Sequence, residues 1–279
     1  MYRPKLLVYF NIASFFGYGM IIILFILLNF SNIDIKITTK FIVTIICCFL
    51  IILDFLSNIL HCDYNKKKWT IFEQWKNSWL HRGIILSILN FFPIVVFFIT
   101  WLMYENSKLL NLCIMPTALL SLSILFCSSM IYSNIKKIPI RNNSLIPSIY
   151  ILNSLISGSL TLFCIFCIFE KYNYFLFNFL IFIIPITLLL KILYLFSSGD
   201  TKKKNSMESK IIQHFVAIIF MYILPLYTLW NTPKLYINKE VSEIIYILTL
   251  LFFIIGMLIK RKLFFAETEY WKSLYYEIK

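Results

Sequence analysis

The sequence predicts an all-α protein, a polytopic transmembrane bundle of about eight helices. Two observations predict this class. The composition is 60% apolar and 14% charged, whereas soluble domains carry about 45–50% apolar and about 25% charged residues. The apolar residues also lie in runs of about 20, the length that a helix needs to cross the hydrocarbon of a bilayer. A soluble fold could not bury that many continuous apolar runs, so we expect them to face lipid.

The apolar runs are predicted to be helices because backbone amides in lipid must form their hydrogen bonds within one segment. They lack the alternation of polar and apolar residues that is typical of the strands of a transmembrane barrel. We expect a single integral membrane domain, 1–279, with spans near 8–30, 38–61, 82–104, 109–133, 146–169, 174–197, 211–230 and 242–260.

Basic residues between the spans predict the orientation. An even number of spans puts both termini on one side, and most of the 26 Lys and Arg residues lie on that side. The six exceptions are Lys36, Lys40, Lys108, Lys171, Lys234 and Lys239. The positive-inside rule therefore predicts that both termini are cytoplasmic. The net charge of +13 is divided among short loops, so we expect attraction to anionic membrane lipid, with docking of a soluble partner as an additional possibility, and no nucleic-acid binding.

Several residues inside the spans predict features of packing. Pro93, Pro185 and Pro225 are expected to kink their helices, which neighbouring helices can accommodate. Ser154 and Gly158 have the small-xxx-small spacing of closely packed membrane helices. Six of the seven cysteines lie in apolar segments, so we expect small buried hydrophobes rather than a disulfide framework.

The second predicted span carries three polar residues on one helical face. Asp54, Asn58 and His61 are spaced i, i+4 and i+7. An ionisable residue within a membrane span is costly and is a functional hypothesis by default. His61 lies at the basic end of the span, and imidazole exchanges protons near neutral pH. Asp54 and His61 could form a proton route, or Asp54 could pair with a polar group of another helix for packing; the sequence leaves both interpretations open.

The segment after the second span is aromatic and basic. Three lysines precede Trp69, and Phe72, Trp75 and Trp79 then fall on one helical face. Tryptophan is enriched at the headgroup depth of a bilayer, so this spacing predicts an interfacial amphipathic helix. Arg82 follows at the start of the third span.

At this point the sequence resembles a family. The stretch LHCDYNKKKWTIFEQWKNSWLHRG at 60–83 is similar, without a gap, to the pattern HLGxPxRAWxxFxxWRxSWLSRE of the membrane anchor subunits of dimethyl sulfoxide reductase and its relatives. MIYSNIKKIP at 130–139 looks like that family's MIYAxLKxIP segment. KRKLFFAETE at 260–269, with LYY at 274–276, looks like its C-terminal segment. The tail and the WxxSWL version of the first block are closer to the sulfite-dehydrogenase branch.

The resemblance implies a role and partners. An anchor of this family exchanges electrons with quinone, either menaquinone or ubiquinone, carries no haem and is not itself catalytic. Its partners are an iron–sulfur electron-transfer subunit and a catalytic subunit with molybdopterin, in the bacterial inner (cytoplasmic) membrane. The expected quinone-binding residues are His61, Trp69, Trp75, Ser78, Trp79 and Arg82. Asp54 and Glu267 are candidates for proton transfer, and Tyr132 and Arg261 are weaker members of the site. No metal-binding residues are expected in this chain.

The sequence departs from the family pattern at the end of the first block. Gly83 stands where the family has an acidic residue, and that carboxylate is thought to act with the histidine at the quinol site. Asp54, Glu73 or His81 could replace it, or quinone use could be altered. His81 itself stands where the family has serine, and Lys67 where it has arginine.

A second class of function is a multi-pass secondary transporter or permease. Asp54, Asn58 and the polar Ser/Thr/Asn face at 153–161 favour it. Such transporters often have inverted repeats and paired helix interruptions near the midplane of the membrane. No paired interruptions are evident in this sequence, which favours the electron-transfer interpretation.

Overall fold

The fold is taken from a computed structural model that describes residues 4–31, 35–62, 78–103, 107–133, 143–170, 172–197, 207–231 and 239–277. The helices are α1 (Pro4–Phe30), α2 (Ile37–Cys62), α3 (Trp79–Met103), α4 (Ser107–Ser133), α5 (Leu145–Phe169), α6 (Tyr174–Ser197), α7 (Met207–Ile218), α8 (Leu224–Asn231) and α9 (Lys239–Glu277). A π-helical segment, Ile219–Ile223, joins α7 to α8. These three pieces form the seventh span.

The predicted class is confirmed. Within the described ranges the chain is helical and has eight helical spans long and apolar enough to cross a membrane. Their bounds agree with the predicted spans to within a few residues, except that the last helix runs to Glu277. The basic residues at 260–262 end the apolar run, but charge does not break the hydrogen bonds of a helical backbone. Hydropathy therefore marks where a helix leaves lipid rather than where it ends.

Helices α1 and α5 form the centre of the bundle. In each, 78% of the most apolar stretch is buried, whereas the other six spans bury between 28% and 39%. Helix α1 packs against α2, α4 and α5, and α5 also contacts α6 and α9. Helix α3 packs chiefly against α4 at one side. The six outer spans thus leave broad apolar faces for lipid, while the central pair is enclosed by protein.

The two central helices cross with their backbones in direct contact. A Cβ atom added at Gly158 of α5 would overlap the backbone of Gly19 and Met20 in α1, and one added at Gly19 would overlap the carbonyl of Ser154. The Ser154 hydroxyl donates a hydrogen bond to the Phe15 carbonyl oxygen across the crossing, at 3.1 Å. The predicted small-xxx-small contact of Ser154 and Gly158 is therefore confirmed.

The seventh span changes helical register just before a proline. Pro225 has no backbone N–H, and its ring would clash with the carbonyl four residues earlier, that of Met221. The π-helical turn Ile219–Ile223 relieves this conflict by shifting the hydrogen-bond register, as single π turns often do inside α-helices. Helices α3 and α6 continue through Pro93 and Pro185.

A buried hydrogen bond joins the π-helical segment to α5. The Tyr222 hydroxyl donates to Asn153 Oδ1 at 2.7 Å, and Asn153 Nδ2 donates to the Ile149 carbonyl oxygen at 2.6 Å. Both side chains are buried. An amide at this depth has no water to bond with, so the tyrosine satisfies it and ties two spans together.

Replacing Tyr222 with phenylalanine is therefore expected to destabilise the bundle by about 1 kcal/mol, because Asn153 Oδ1 is left buried without its donor. The measurement is the free energy of unfolding of the two proteins in detergent. The matched control is Tyr227→Phe in α8, where 67% of the side chain is exposed and no change is expected. Equal stabilities of Y222F and the native protein would contradict the expectation.

The cysteines behave as the sequence predicts. The six whose side chains the structure describes are free, and four of them are buried. The Cys164 thiol lies 3.1 Å from the Tyr246 carbonyl oxygen of α9. It thus contributes to the packing of α5 against α9.

Candidate functional site

The first turn of α3 brings three predicted quinone-site residues together. The backbone N–H of Arg82 donates to the Ser78 carbonyl oxygen at 3.2 Å, which closes the turn. The Arg82 guanidinium carbon lies 4.4 Å from the centre of the Trp79 ring, within the range of a cation–π contact. All three residues are partly exposed. We call Ser78, Trp79 and Arg82 the α3 corner.

Helix α4 holds the α3 corner in place. The Trp79 ring meets Phe126 edge-on, with centroids 6.1 Å apart and an interplanar angle of 81°. One turn further along, Gly83 is buried, and an added Cβ would lie 3.7 Å from the Cβ of Cys127. Position 83 therefore faces α4 and serves helix packing. A proton-exchanging group for this corner has to come from another position.

His81 lies between Trp79 and Arg82 in the first turn of α3. It is partly exposed, yet its ring nitrogen Nδ1 is buried and has no hydrogen-bond partner among those residues. A buried polar atom without a partner is rare in folded proteins and calls for an explanation. A ligand or water that reaches the corner could supply the missing bond.

Asp54 is buried within the bundle rather than exposed to lipid. It is 6% exposed and accepts a hydrogen bond from the hydroxyl of Tyr18 in α1. Tyr18 lies close enough to Tyr150 of α5 to interact electrostatically with it. Polar side chains of α2, α1 and α5 thus lie near one another. The Tyr18 contact agrees with a role in packing, and a carboxyl bonded to a hydroxyl can also exchange a proton, so both interpretations of Asp54 stay open.

Several predicted site residues lie outside what the structure describes. Trp69 and Trp75 belong to the stretch 63–77, which is not described. The backbone of His61 is in the last turn of α2, next to its end at Cys62, but its side chain is not described. The same holds for the side chains of Asn58, Tyr132 and Glu267. The predicted interfacial helix also falls in the stretch that is not described, so its assignment stays a prediction.

A cavity of about 710 Å³, including its open mouth, lies between α1, α5, α6, α7 and α9. Its walls come from the middle of α1, the start of α5, the end of α6, His214 of α7 and the middle of α9. This is the end of the bundle at which the basic side of the chain is predicted, and we call it the basic end. Arg261 is the one predicted site residue in the wall of this cavity; the α3 corner and Asp54 are not part of its described lining.

Basic side chains from three helices meet at the cavity. They are Lys191 of α6, His214 of α7, and Lys260 and Arg261 of α9. Sequence reasoning assigned the lysines to membrane orientation and did not single out this group. The sequence did contain one indication of this group. Lys191 interrupts an apolar run inside its span, and charged residues within a membrane often mark functional sites. The sequence could not show that three distant segments meet.

Hydroxyls on the polar face of α5 form hydrogen bonds with carbonyls of the same helix. Ser157 donates to the Ser154 carbonyl oxygen at 2.8 Å, and Thr161 donates to that of Ser157 at 2.7 Å. Ser159 bonds in the same way to carbonyls of its own helix. These residues are buried between helices. These hydroxyls of the polar face thus have partners within their own helix.

The described part of the chain holds no cluster of three or more His, Cys, Asp or Glu side chains placed to bind a metal ion. The chain matches no protein-family model, no curated protein and no solved structure. Its resemblance to the anchor subunits rests on the motif at 60–83 and the two shorter segments described above.

Proposed function

We propose that this chain is the membrane anchor subunit of a molybdopterin oxidoreductase complex of the dimethyl sulfoxide reductase or sulfite dehydrogenase type. It exchanges electrons between membrane quinone and an iron–sulfur partner subunit, and carries no haem. The observation that carries the proposal is the first turn of α3, where the guanidinium of Arg82 stacks on Trp79 and a ring nitrogen of His81 has no partner among the described residues. These residues end the motif on which the resemblance rests.

The chemistry of a quinone suits such a corner. Its flat ring stacks on aromatic side chains, and its two carbonyl oxygens accept hydrogen bonds from arginine or histidine. A quinol that gives up two electrons also gives up two protons, so the site needs groups that accept protons. His61 in the last turn of α2 and His81 at the start of α3 are the two imidazoles of the motif.

Asp54 is the second proton acceptor in this proposal, after His61. It precedes His61 by seven residues on α2, which is about 10 Å along the helix axis. Its bond to Tyr18 keeps it inside the bundle, away from lipid. A proton leaving the quinol would pass to His61 first, and the Asp54–Tyr18 pair would receive or return it.

The orientation of the chain is part of the same proposal. Both termini lie in the cytoplasm of a bacterium, and the protein spans the inner membrane. The excess of Lys and Arg on the side of the termini supports this placement. The basic end then faces the cytoplasm and the iron–sulfur subunit docks there.

The partner set is testable by metal analysis. When the full chain is affinity-purified from its native membrane in a mild detergent, molybdenum and non-haem iron are expected to co-purify in a constant ratio to it. The measurement is elemental analysis of the purified sample, and the control is the same purification from cells that lack the tagged chain. Recovery of the folded chain without molybdenum and iron in several mild detergents would contradict the proposed complex.

A further inference from the structure

We propose that the cavity at the basic end binds the phosphate group of an anionic membrane phospholipid, with its acyl chain along the apolar part of the wall. The site is separate from the α3 corner, and the proposal does not depend on the electron exchange proposed above. It rests on the charges that converge there, on the arrangement of hydrogen-bond donors, and on the division of the wall into a basic and an apolar part.

Three basic side chains, Lys191, Lys260 and Arg261, meet at the cavity. Lys191 is 6% exposed and Arg261 is 7% exposed, so two cationic side chains from different helices are drawn into an apolar bundle. Lys260 lies close enough to both for their charges to repel one another. An anion placed among the three converts that repulsion into attraction, and the effect is strong where little water screens it. A phosphate group fits this role because several of its oxygens can be bonded at once.

The surrounding aromatic residues set the positions of these cations. The guanidinium of Arg261 lies 5.3 Å from the centre of the Phe15 ring and 5.5 Å from that of Tyr150. Its Nη2 is 3.5 Å from the Tyr150 hydroxyl oxygen. The Lys191 Nζ lies 4.6 Å from the centre of the Tyr194 ring. Arginine presents a rigid fork of donors and lysine a compact charge, and both are common ligands of phosphate.

Part of the described cavity wall is apolar. Phe15, Ile146, Ile149 and Met257 form this part, beside the basic residues and His214. An acyl chain needs such a surface, whereas a free inorganic anion does not. Basic pockets between spans at the cytoplasmic side are known places for phospholipid headgroups. The combination favours a lipid phosphate over a soluble anion.

The test begins with the native protein, which avoids any question of misfolded variants. The full chain is purified in detergent with any subunit that it retains, delipidated, and titrated with dioctanoyl phosphatidylglycerol, dioctanoyl phosphatidylcholine or inorganic phosphate. Native mass spectrometry counts the bound lipids. We expect one saturable phosphatidylglycerol site, about tenfold tighter than for phosphatidylcholine, because the basic wall attracts net negative charge.

A pair of variants then assigns the site to the cavity. Lys191→Gln combined with Lys260→Gln removes two cavity cations and is expected to weaken phosphatidylglycerol binding about tenfold or more. The matched control is Lys262→Gln, which removes an exposed lysine next to the cavity residues on the same helix and is expected to leave binding unchanged.

Four results would overturn the proposal. They are equal affinity for the two lipids, unchanged binding in the double variant, displacement of phosphatidylglycerol by equimolar inorganic phosphate, and displacement by a quinone analogue. The third would identify a soluble-anion site, and the fourth would move the quinone site into the cavity. The third and fourth results leave the outcome of the metal analysis, which tests the proposed complex, unchanged.

Discussion

Gly158→Ala is expected to destabilise the bundle by about 3 kcal/mol, although the change adds a single methyl group. In an unstrained helix the same change is favourable by up to about 1 kcal/mol. Here the new Cβ would overlap the backbone of Gly19 and Met20 in the other central helix. Backbone atoms cannot rotate away as a side chain does, so α1 and α5 must separate, and overpacking of this kind costs about 1–3 kcal/mol or more. Thermal unfolding followed by size-exclusion chromatography in detergent measures the loss.

Gly83→Ala is the matched control for this prediction. Within the part of the chain that the structure describes, its Cβ would meet only the Cβ of Cys127, at an ordinary contact distance of 3.7 Å. Since this glycine also lies within a helix, we expect stability to stay the same or to rise by less than about 1 kcal/mol. If G158A and G83A unfold at the same temperature, the close crossing of α1 and α5 is not a determinant of the fold.

His61→Ala is expected to abolish electron exchange with quinone while leaving membrane insertion and assembly intact. The change removes the proposed first proton acceptor at the end of α2, and loss of a general base costs about 10²–10⁴ in rate. The measurement is the rate at which a quinol analogue reduces the iron–sulfur centres of the purified complex, followed by absorbance in a single turnover.

Two controls separate loss of the site from loss of the protein. Cys62→Ser, at the adjacent position, is expected to retain the native rate. Reduction of the same iron–sulfur centres by a soluble dye, which bypasses the anchor, is expected to be unchanged in H61A. A native rate of reduction by quinol in H61A would remove His61 from the proposed mechanism, and a loss of the dye-linked rate would indicate a failure of assembly.

The contacts of the candidate site that could be predicted from the sequence are those between residues close together in the chain. Ser78, Trp79 and Arg82 lie within one helical turn, so their mutual contact follows from the geometry of a helix start. The orientation of Gly83 toward α4 did not follow, because it depends on which side of α3 the neighbouring helix occupies. The same is true of the bond between Asp54 and Tyr18, which joins two helices.

The cavity at the basic end is the clearest example of a feature that could not be predicted from the sequence. Lys191 and Arg261 are 70 positions apart in the chain, and each on its own looks like a charge that ends or orients a span. Their convergence is a property of how α6 and α9 pack beside α5. Hydropathy is a one-dimensional quantity, and it contains no term for the side of a helix that faces another.

The sequence alone determined that the chain is a bundle of eight spanning helices. Whether a segment is stable in lipid depends on its own length and apolarity, and not on the other segments. The tertiary structure decided which helices are central, where Gly19 meets Gly158, and that Tyr222 satisfies Asn153. Lipid does not distinguish one apolar face from another, so small residues, buried polar pairs and the fit of side chains select the partners of each helix.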